Sequence, residues 1–343
     1  MAANKCVRLR PELDHLANEY LPHSDAIARP AQRRRAAIDF LLVTKSKERS
    51  ENKRPPRRLR FYRVNSLRGF KTWLWWQRLQ QPRLRKLEAE LRERPLPFSI
   101  PGFCYVCGQY SKFYVDALNA ERKEMKLVPN FRERALCKKC LLNTRMRASI
   151  HLFEEECRPP HGASIYLAEQ VTPLYQHLRA RFPQIVGSEY LGREIPFGAK
   201  THDGVRNESL AALTFADATF DFILSFDVFE HIPEFERAFI ECARCLKPGG
   251  RMVFSVPFVS GSAKNILRAR VHGNGEVEHL LPPEFHADML HQAGCLCFHH
   301  FGWEMLGILR KVGFARAYAC LFRSRDFVYL GNPHPLFVAE RVG

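Results

Sequence analysis

Residues 213–257 read LTFADATFDFILSFDVFEHIPEFERAFIECARCLKPGGRMVFSVP. The apolar runs at 222–226 and 251–256 have the length and side-chain content of buried strands. Between them lie an acidic loop, an amphipathic stretch and a Lys247-Pro248-Gly249-Gly250 turn. Two strands joined by a helix are predicted to run parallel, because a parallel pair needs a long crossover and a helix covers one face of the sheet. The stretch therefore predicts a βαβ unit within an α/β sheet.

Working outward, strands are predicted at 164–168 and 184–190 and helices at 145–157 and 172–181. After 257 the pattern predicts a long loop (258–283), helices near 284–293 and 303–312, and strands near 314–322 and 326–339. Alternating strands and helices closed by a hairpin give a doubly wound α/β fold. In such sheets ligands gather at the carboxyl ends of the strands, at the switch point. Glu189, in IVGSEYLG, is placed at the end of the second strand.

The chain resembles class I S-adenosylmethionine-dependent methyltransferases of the type 11-like kind. The motif F-D-x-[IV]-x-[CS]-x-x-[VLF]-[FL]-E-H-[IV] runs here from Phe220-Asp221 to Glu230-His231-Ile232, and L-K-P-G-G-x-[FLM] runs from Leu246 to Met252. Over roughly residues 100–340 it is similar to a bacterial subgroup with a cysteine-paired front end. The matching residues are Cys104, Cys107, Cys137, Cys140, Glu169, Gln170, Thr172, the Gly187-Ser188-Glu189-Tyr190 run and Phe301-Gly302-Trp303. The resemblance implies a Rossmann-like seven-stranded sheet whose last strand is antiparallel, with S-adenosylmethionine as cofactor. One departure from the wider family is plain: the first loop, Ala168-Glu169-Gln170-Val171-Thr172, contains no glycine.

These readings give a set of candidate site residues. A carboxylate at Glu189 can accept both ribose hydroxyls of the cofactor, and Glu169 is placed to meet its methionine part. Glu208 stands beside the position where the family places an acid for the adenine amino group, at Ser209-Leu210. Asp221 opens the fourth strand, and Ser225 and Asp227 fall at and beyond its end. His231 either removes a proton from the acceptor, since imidazole titrates near neutral pH, or caps the following helix together with Glu230. The segment EVEHLLPPEFHADML, 276–290, occupies the place of a substrate lid, and His286 is its candidate base.

The chain has 11 cysteines. Cys104-x2-Cys107 and Cys137-x2-Cys140 are separated by 29 residues, and two such knuckles complete the thiolate tetrahedron that zinc prefers. A closed four-thiolate site would be structural; a redox pair is the alternative. Cys6, Cys157, Cys242, Cys245, Cys295, Cys297 and Cys320 are expected to be small buried apolar residues.

Of the net charge of +17, residues 1–100 hold +14, from 24 Lys and Arg against 10 Asp and Glu. Helix-like pieces at 11–20 and 31–45 precede a polar break, SKERSENKRPPRR, at 46–58. Residues 66–94 are amphipathic, with Trp73, Trp75 and Trp76 together and Pro82 expected to kink the helix. This helix either meets an anionic membrane or polyanion, with contact running through residues 1–95, or docks on its own catalytic domain. The expected division is a basic helical segment (1–100), a four-cysteine zinc-ribbon-like module (101–150) and a methyltransferase domain (151–343).

No run approaches the roughly 20 apolar residues of a membrane span, and residues 1–10 are followed by no apolar targeting block. A soluble, cytoplasmic protein is expected. The leading function is methyl transfer to oxygen or nitrogen of a small-molecule or glycan-like acceptor. The alternatives are a nucleic-acid (RNA) methyltransferase, for which the basic front end speaks, and a catalytically inactive scaffold of the same fold.

Overall fold

Among the described residues of the computed structural model, Ser66 starts the first helix, its hydroxyl accepting the Gly69 N–H at 3.2 Å. Strand β1 (Tyr62–Val64) comes just before it, and helix α1 (Leu67–Gln80) just after. Pro82 does not kink this helix but begins the next, α2 (Pro82–Glu93), at the first helical position, where a missing N–H costs nothing. The structure describes residues 55–123, 126–290 and 292–343, and the helix-like pieces expected at 11–20 and 31–45 lie outside them. Among the described residues no helix is long and apolar enough to cross a membrane.

The tryptophan helix is docked. Phe70 and Trp73 of α1 are buried, and the Phe70 ring lies 5.7 Å from that of Trp303. Trp76 packs on Tyr62 at 5.3 Å, while Trp75 is 63% exposed. On α2, buried Glu88 pairs with Arg323 and accepts the Gly331 N–H at 3.0 Å.

The cysteine module is a hairpin, β2 (Phe98–Cys104) with β3 (Gln109–Val115), paired antiparallel throughout. A small hairpin, β4 (Glu121–Lys123) with β5 (Lys126–Val128), leads to helix α3 (Phe131–Arg134) and strand β6 (Leu136–Cys137), which joins the edge of β3. Asn143 caps helix α4 (Thr144–Leu152), which continues as a wide π-helical turn to Cys157. Pro55–Gly343 belong to one compact unit, so the module and the sheet beyond it share a core.

That sheet is built from β7 (Ile165–Leu167), helix α5 (Pro173–Arg181), β8 (Val186–Gly187), β9 (Phe220–Phe226), helix α6 (Phe235–Cys245) and β10 (Leu246–Ser255). The segment that follows forms β11 (Ile266–Leu267), β12 (Ala269–Val271), β13 (Val277–His279), β14 (Phe285–His286), β15 (Cys295–Leu296) and β16 (His299–His300). Helix α7 (Glu304–Lys311) and strands β17 (Phe314–Leu321) and β18 (Leu336–Arg341) complete it. The sheet order is β1-β17-β18-β10-β9-β7-β8. Strands β8, β7, β9 and β10 run parallel, and β18 is antiparallel to β10. Side chains alternate between two apolar layers: Phe222, Leu224 and Phe226 enter one, Phe220 and Ile223 the other. The α/β doubly wound architecture is thus the one the sequence predicts.

Three details differ from the sequence reading. The seventh strand is β1, from the basic segment, whereas a third parallel strand beyond β8 is reduced to a single bridge between Glu189 and Asn207. Lys247–Gly250 is a bulge inside β10, not a turn before it: the register passes from Leu246↔Phe220 to Arg251↔Phe222, and Gly249 takes φ +72°. Among the described residues of 284–293 no helix forms; β14 pairs antiparallel with β15. Met289 and Leu290 are exposed, so this segment has no apolar face for a helix to bury.

Candidate active site

Cys104 ends β2, Cys137 ends β6, and Cys107 and Cys140 sit in the turns that follow, where Gly108 takes φ +64°. The closest sulfur pairs cross between the knuckles, Cys104 to Cys140 at 3.7 Å and Cys107 to Cys137 at 3.9 Å. All four Sγ atoms lie within 4.8 Å of one another, and all four thiols are free. Four thiolates bonded at ~2.3 Å to a tetrahedral ion have sulfur–sulfur edges of about 3.8 Å, whereas a disulfide needs ~2.05 Å. The bond to Cys137 pushes the Cys104 thiol up to about 12, while its thiol partners draw Cys137 down. As expected of small buried residues, Cys157, Cys242, Cys245, Cys297 and Cys320 are buried; Cys295 is half-buried, and Cys6 lies outside the described residues.

Three acids follow three adjacent parallel strands: Glu169 after β7, Glu189 after β8 and Asp227 after β9. Oε1 of Glu189 accepts the N–H groups of Gln170 at 2.6 Å and Val171 at 2.8 Å, so the glycine-free first loop is held down by the acid of the second strand. Burial raises the Glu189 pKa, and those two N–H groups oppose the rise. The Gln170 side chain ties the loop to the Gly204 carbonyl at 3.0 Å and the Arg206 N–H at 2.9 Å. Gly187 permits this closeness: a Cβ there would lie 2.5 Å from the Tyr175 ring and 2.9 Å from the Glu169 carbonyl. Glu169 is buried, its Oε1 has no hydrogen-bond partner, and burial pushes its pKa up to about 7.

Asp227, at φ +57°, is gripped from the cysteine module. Arg132 Nη2 lies 2.9 and 2.7 Å from its two oxygens, Arg145 Nε lies 3.1 Å away, and the Ser255 hydroxyl donates at 2.7 Å. Burial works to raise this carboxyl, but the two guanidiniums outweigh it and hold Asp227 well below the usual range.

A second cluster follows in the loop after β9. Glu230 is fully buried and neither of its carboxylate oxygens has a hydrogen-bond partner. His286 Nδ1 is 3.3 Å from its Oε1 and His231 Nε2 is 3.6 Å away. The two imidazoles stand edge to face, 4.9 Å between centroids. His286 was expected to act as a base. Burial lowers its pKa, but Glu230 and then Glu284 overcome this and raise it to about 9, which favours the imidazolium over the neutral base at neutral pH. Nor do Glu230 and His231 cap α6, whose N-cap position is Glu234, with no side-chain cap.

Of the other expected cofactor residues, Asp221 is placed away from the carboxyl ends of the strands, the Glu208 carboxylate is committed to other groups, and Ser225 is buried next to the end of β9. Asp221 is at the amino end of β9, opposite the carboxyl ends, where it binds Ser164 N at 2.8 Å and Lys247 Nζ at 2.9 Å. An acid at the start of a strand stitches neighbouring strand starts and cannot reach the other edge. Glu208 is fully buried and spent on Arg206 Nε at 2.8 Å and Thr214 N at 3.0 Å. Ser225 lies within β9 and is wholly buried.

Residues 174–254, from α5 to the end of β10, match the family described as a methyltransferase domain. Over that stretch the chain is similar to a methyltransferase domain. A probable S-adenosylmethionine-dependent methyltransferase of Mycolicibacterium smegmatis is 31% identical over 114 residues, covering 31% of this chain and 37% of that protein. The chain thus spans well under half the length of that relative. Among solved structures, an S-adenosylmethionine-dependent methyltransferase from Mesorhizobium loti is 18% identical, over 54% of this chain and 94% of that one, with a TM-score of 0.33. The 1,6-didemethyltoxoflavin-N1-methyltransferase of Burkholderia thailandensis, with bound 1,6-didemethyltoxoflavin and S-adenosylhomocysteine, is 15% identical over 58% of this chain and 78% of that one, with a TM-score of 0.34.

The matched residues include Glu189, Asp227, Glu230 and His231, while Glu169, His286 and the cysteine module lie outside them. Sequence reasoning missed Arg132 and Arg145, which reach into the domain from either side of the second knuckle. It also missed Asn207, whose side chain holds Leu191 N at 2.8 Å and the Gly192 and Ile195 carbonyls, shaping the chain after Glu189. No local pattern marks these residues; only a pairing 95 positions distant reveals Arg132.

Proposed function

We propose that the chain is an S-adenosylmethionine-dependent methyltransferase acting on oxygen or nitrogen of a small-molecule or glycan-like acceptor. The observation that carries this is the gathering of Glu169, Glu189 and Asp227 at the carboxyl ends of β7, β8 and β9, with an unpartnered buried oxygen on Glu169. An orphaned carboxylate oxygen in a cleft is a place for a donor from a ligand. Glu189, with Oε1 committed to the first loop, offers Oε2 to the ribose hydroxyls. Glu169 would accept from the methionine ammonium, and Arg132 and Arg145 supply positive charge for its carboxylate. S-adenosylmethionine, when bound, supplies a methyl group already activated on its sulfonium. The protein's share is then chiefly alignment of the acceptor.

Titrating the full chain with S-adenosylmethionine by calorimetry tests this reading against the scaffold. Glu189→Ala removes a charged acceptor worth ~1.5–3 kcal/mol, so affinity is expected to fall roughly tenfold to a hundredfold. Binding by wild type should also weaken as pH drops below about 7, where Glu169 takes up a proton and can no longer pair with a cation. Saturable binding unchanged by Glu189→Ala would refute the assignment, and no binding at all would favour the scaffold.

Zinc held by Cys104, Cys107, Cys137 and Cys140 is proposed as a structural ion, because four thiolates leave no position for water.

The basic face is proposed to meet a polyanion, either an anionic membrane or nucleic acid, the latter being the basis of the RNA methyltransferase reading. Arg83, Arg85 and Lys86 are exposed on α2 beside the buried Leu84. Replacing all three with alanine should shorten retention on immobilised heparin, most visibly at low salt, with the melting temperature unchanged. Retention equal to wild type would move the polyanion site off this helix.

A further inference from the structure

We propose that Glu230, His231 and His286 form a second metal centre, distinct from the four cysteines, that binds a divalent first-row transition ion such as zinc. The three residues come from two segments brought together by the lid: Glu230 and His231 follow β9, and His286 lies on β14. Their ligand atoms lie within 4.8 Å of one another.

The geometry is that of ligands around an ion. The His286 and His231 nitrogens stand 3.3 and 3.6 Å from Glu230 Oε1, yet none makes a hydrogen bond to it. Oxygen and nitrogen ligands bonded at ~2.0–2.1 Å in a tetrahedral arrangement lie about 3.4 Å apart. A fully buried carboxylate that faces two imidazole nitrogens at 3.3 and 3.6 Å, with no hydrogen bond to either oxygen, is otherwise a costly group to keep. A cation between these three residues removes that cost.

The outer contacts fix both imidazoles with the ligating nitrogen inward. His231 Nδ1 lies 2.8 Å from the Leu296 carbonyl, an acceptor that requires the proton on Nδ1 and leaves the Nε2 lone pair facing Glu230. His286 Nε2 lies 3.0 Å from Glu284 Oε1, and Glu284 is itself held by Arg268 and His300, each at 3.1 Å. A carboxylate or carbonyl behind each ligating histidine is the usual second layer of such sites.

Two imidazoles and a carboxylate suit zinc, cobalt or iron better than magnesium or calcium. Three protein ligands also leave room for an exchangeable oxygen ligand, such as water or an alcohol. The site stands whether or not the chain transfers methyl groups.

The test is a Co²⁺ titration of the full chain followed by visible absorption, with zinc retained at the cysteines. One equivalent is expected to bind with the weak bands of a nitrogen and oxygen site and without intense thiolate-to-cobalt absorption. In a His231→Gln, His286→Gln double variant with wild-type near-UV circular dichroism, affinity should fall more than ~100-fold, since even outer partners of a metal ligand are worth 10–100-fold. Glu230→Gln should weaken binding as well, and serves if the double variant does not fold. The proposal is overturned if wild type takes up no cobalt, if the folded variants bind as wild type does, or if the bound ion shows thiolate absorption.

Discussion

Chelating the zinc proposed at Cys104, Cys107, Cys137 and Cys140 is expected to loosen far more than residues 101–150. A structural zinc contributes on the order of 10 kcal/mol to its module. Here the module is not a separate bead: Phe103, Cys104, Val106 and Phe113 share one apolar core with Phe327, Val328 and Tyr329. Backbone contact is equally close, since a Cβ on Gly102 would lie 2.4 Å from Val328 and 2.9 Å from the Asp326 carbonyl. Metal analysis should give about one zinc per chain at this centre, lost from a Cys137→Ala, Cys140→Ala double variant. Proteolysis of the stripped protein should cut within residues 320–330 as readily as within the module, and S-adenosylmethionine binding should vanish with Arg132 and Arg145 displaced. A zinc-free preparation with the wild-type melting temperature would sink this expectation.

Asp227→Ala should be the most damaging single change in the cleft. It leaves Arg132 and Arg145, with side chains only 25% and 16% exposed, sharing Glu133 alone where they had shared two carboxylates. Removing one partner of a buried pair costs 3–5 kcal/mol, and the residual exposure argues for the lower end, about 3 kcal/mol. Asp227→Asn separates charge from backbone strain, because asparagine tolerates the left-handed conformation that alanine resists. If charge dominates, both variants lose similar stability in chemical denaturation; if strain dominates, the asparagine variant is nearly wild type. The pH dependence has a definite sign. A carboxyl held below its ordinary pKa contributes fully above ~3.9 and loses that contribution as pH falls through its folded value. The gap between wild type and Asp227→Asn should therefore be flat from about pH 5 to 8 and close only in stronger acid.

What the sequence revealed follows from how far each signal reaches along the chain. The strands at 222–226 and 251–256, the helix between them and the helix capped by Thr172 all rest on periodicity or capping within a dozen residues, and all are present. The two cysteine knuckles carry their own spacing, and the structure brings them together. Signals failed where tertiary contacts decide. Glu208 looks available in sequence but is consumed by Arg206 and Thr214, and Asp221 is an acid whose role depends on which end of a strand it occupies. A helix is expected near 284–293, yet the backbone at Phe285–His286 finds partners in β15. Arg132 and Arg145 escaped notice because a basic residue on a basic chain carries no mark until its carboxylate is known.

The place of β1 bears on how the protein is made. Tyr62–Val64 pair with Ala319–Leu321, and β18 is inserted between β10 and β17. A chain emerging from the ribosome therefore exposes β1 and the apolar faces of α1 and α2 long before their partner strand exists. Contacts this distant in sequence close late and slowly. Through that interval the early segment carries Phe70, Trp73 and Leu84 uncovered, held in solution by its surplus of arginine and lysine. Like-charge repulsion in that segment opposes self-association of a half-made chain until the sheet is complete.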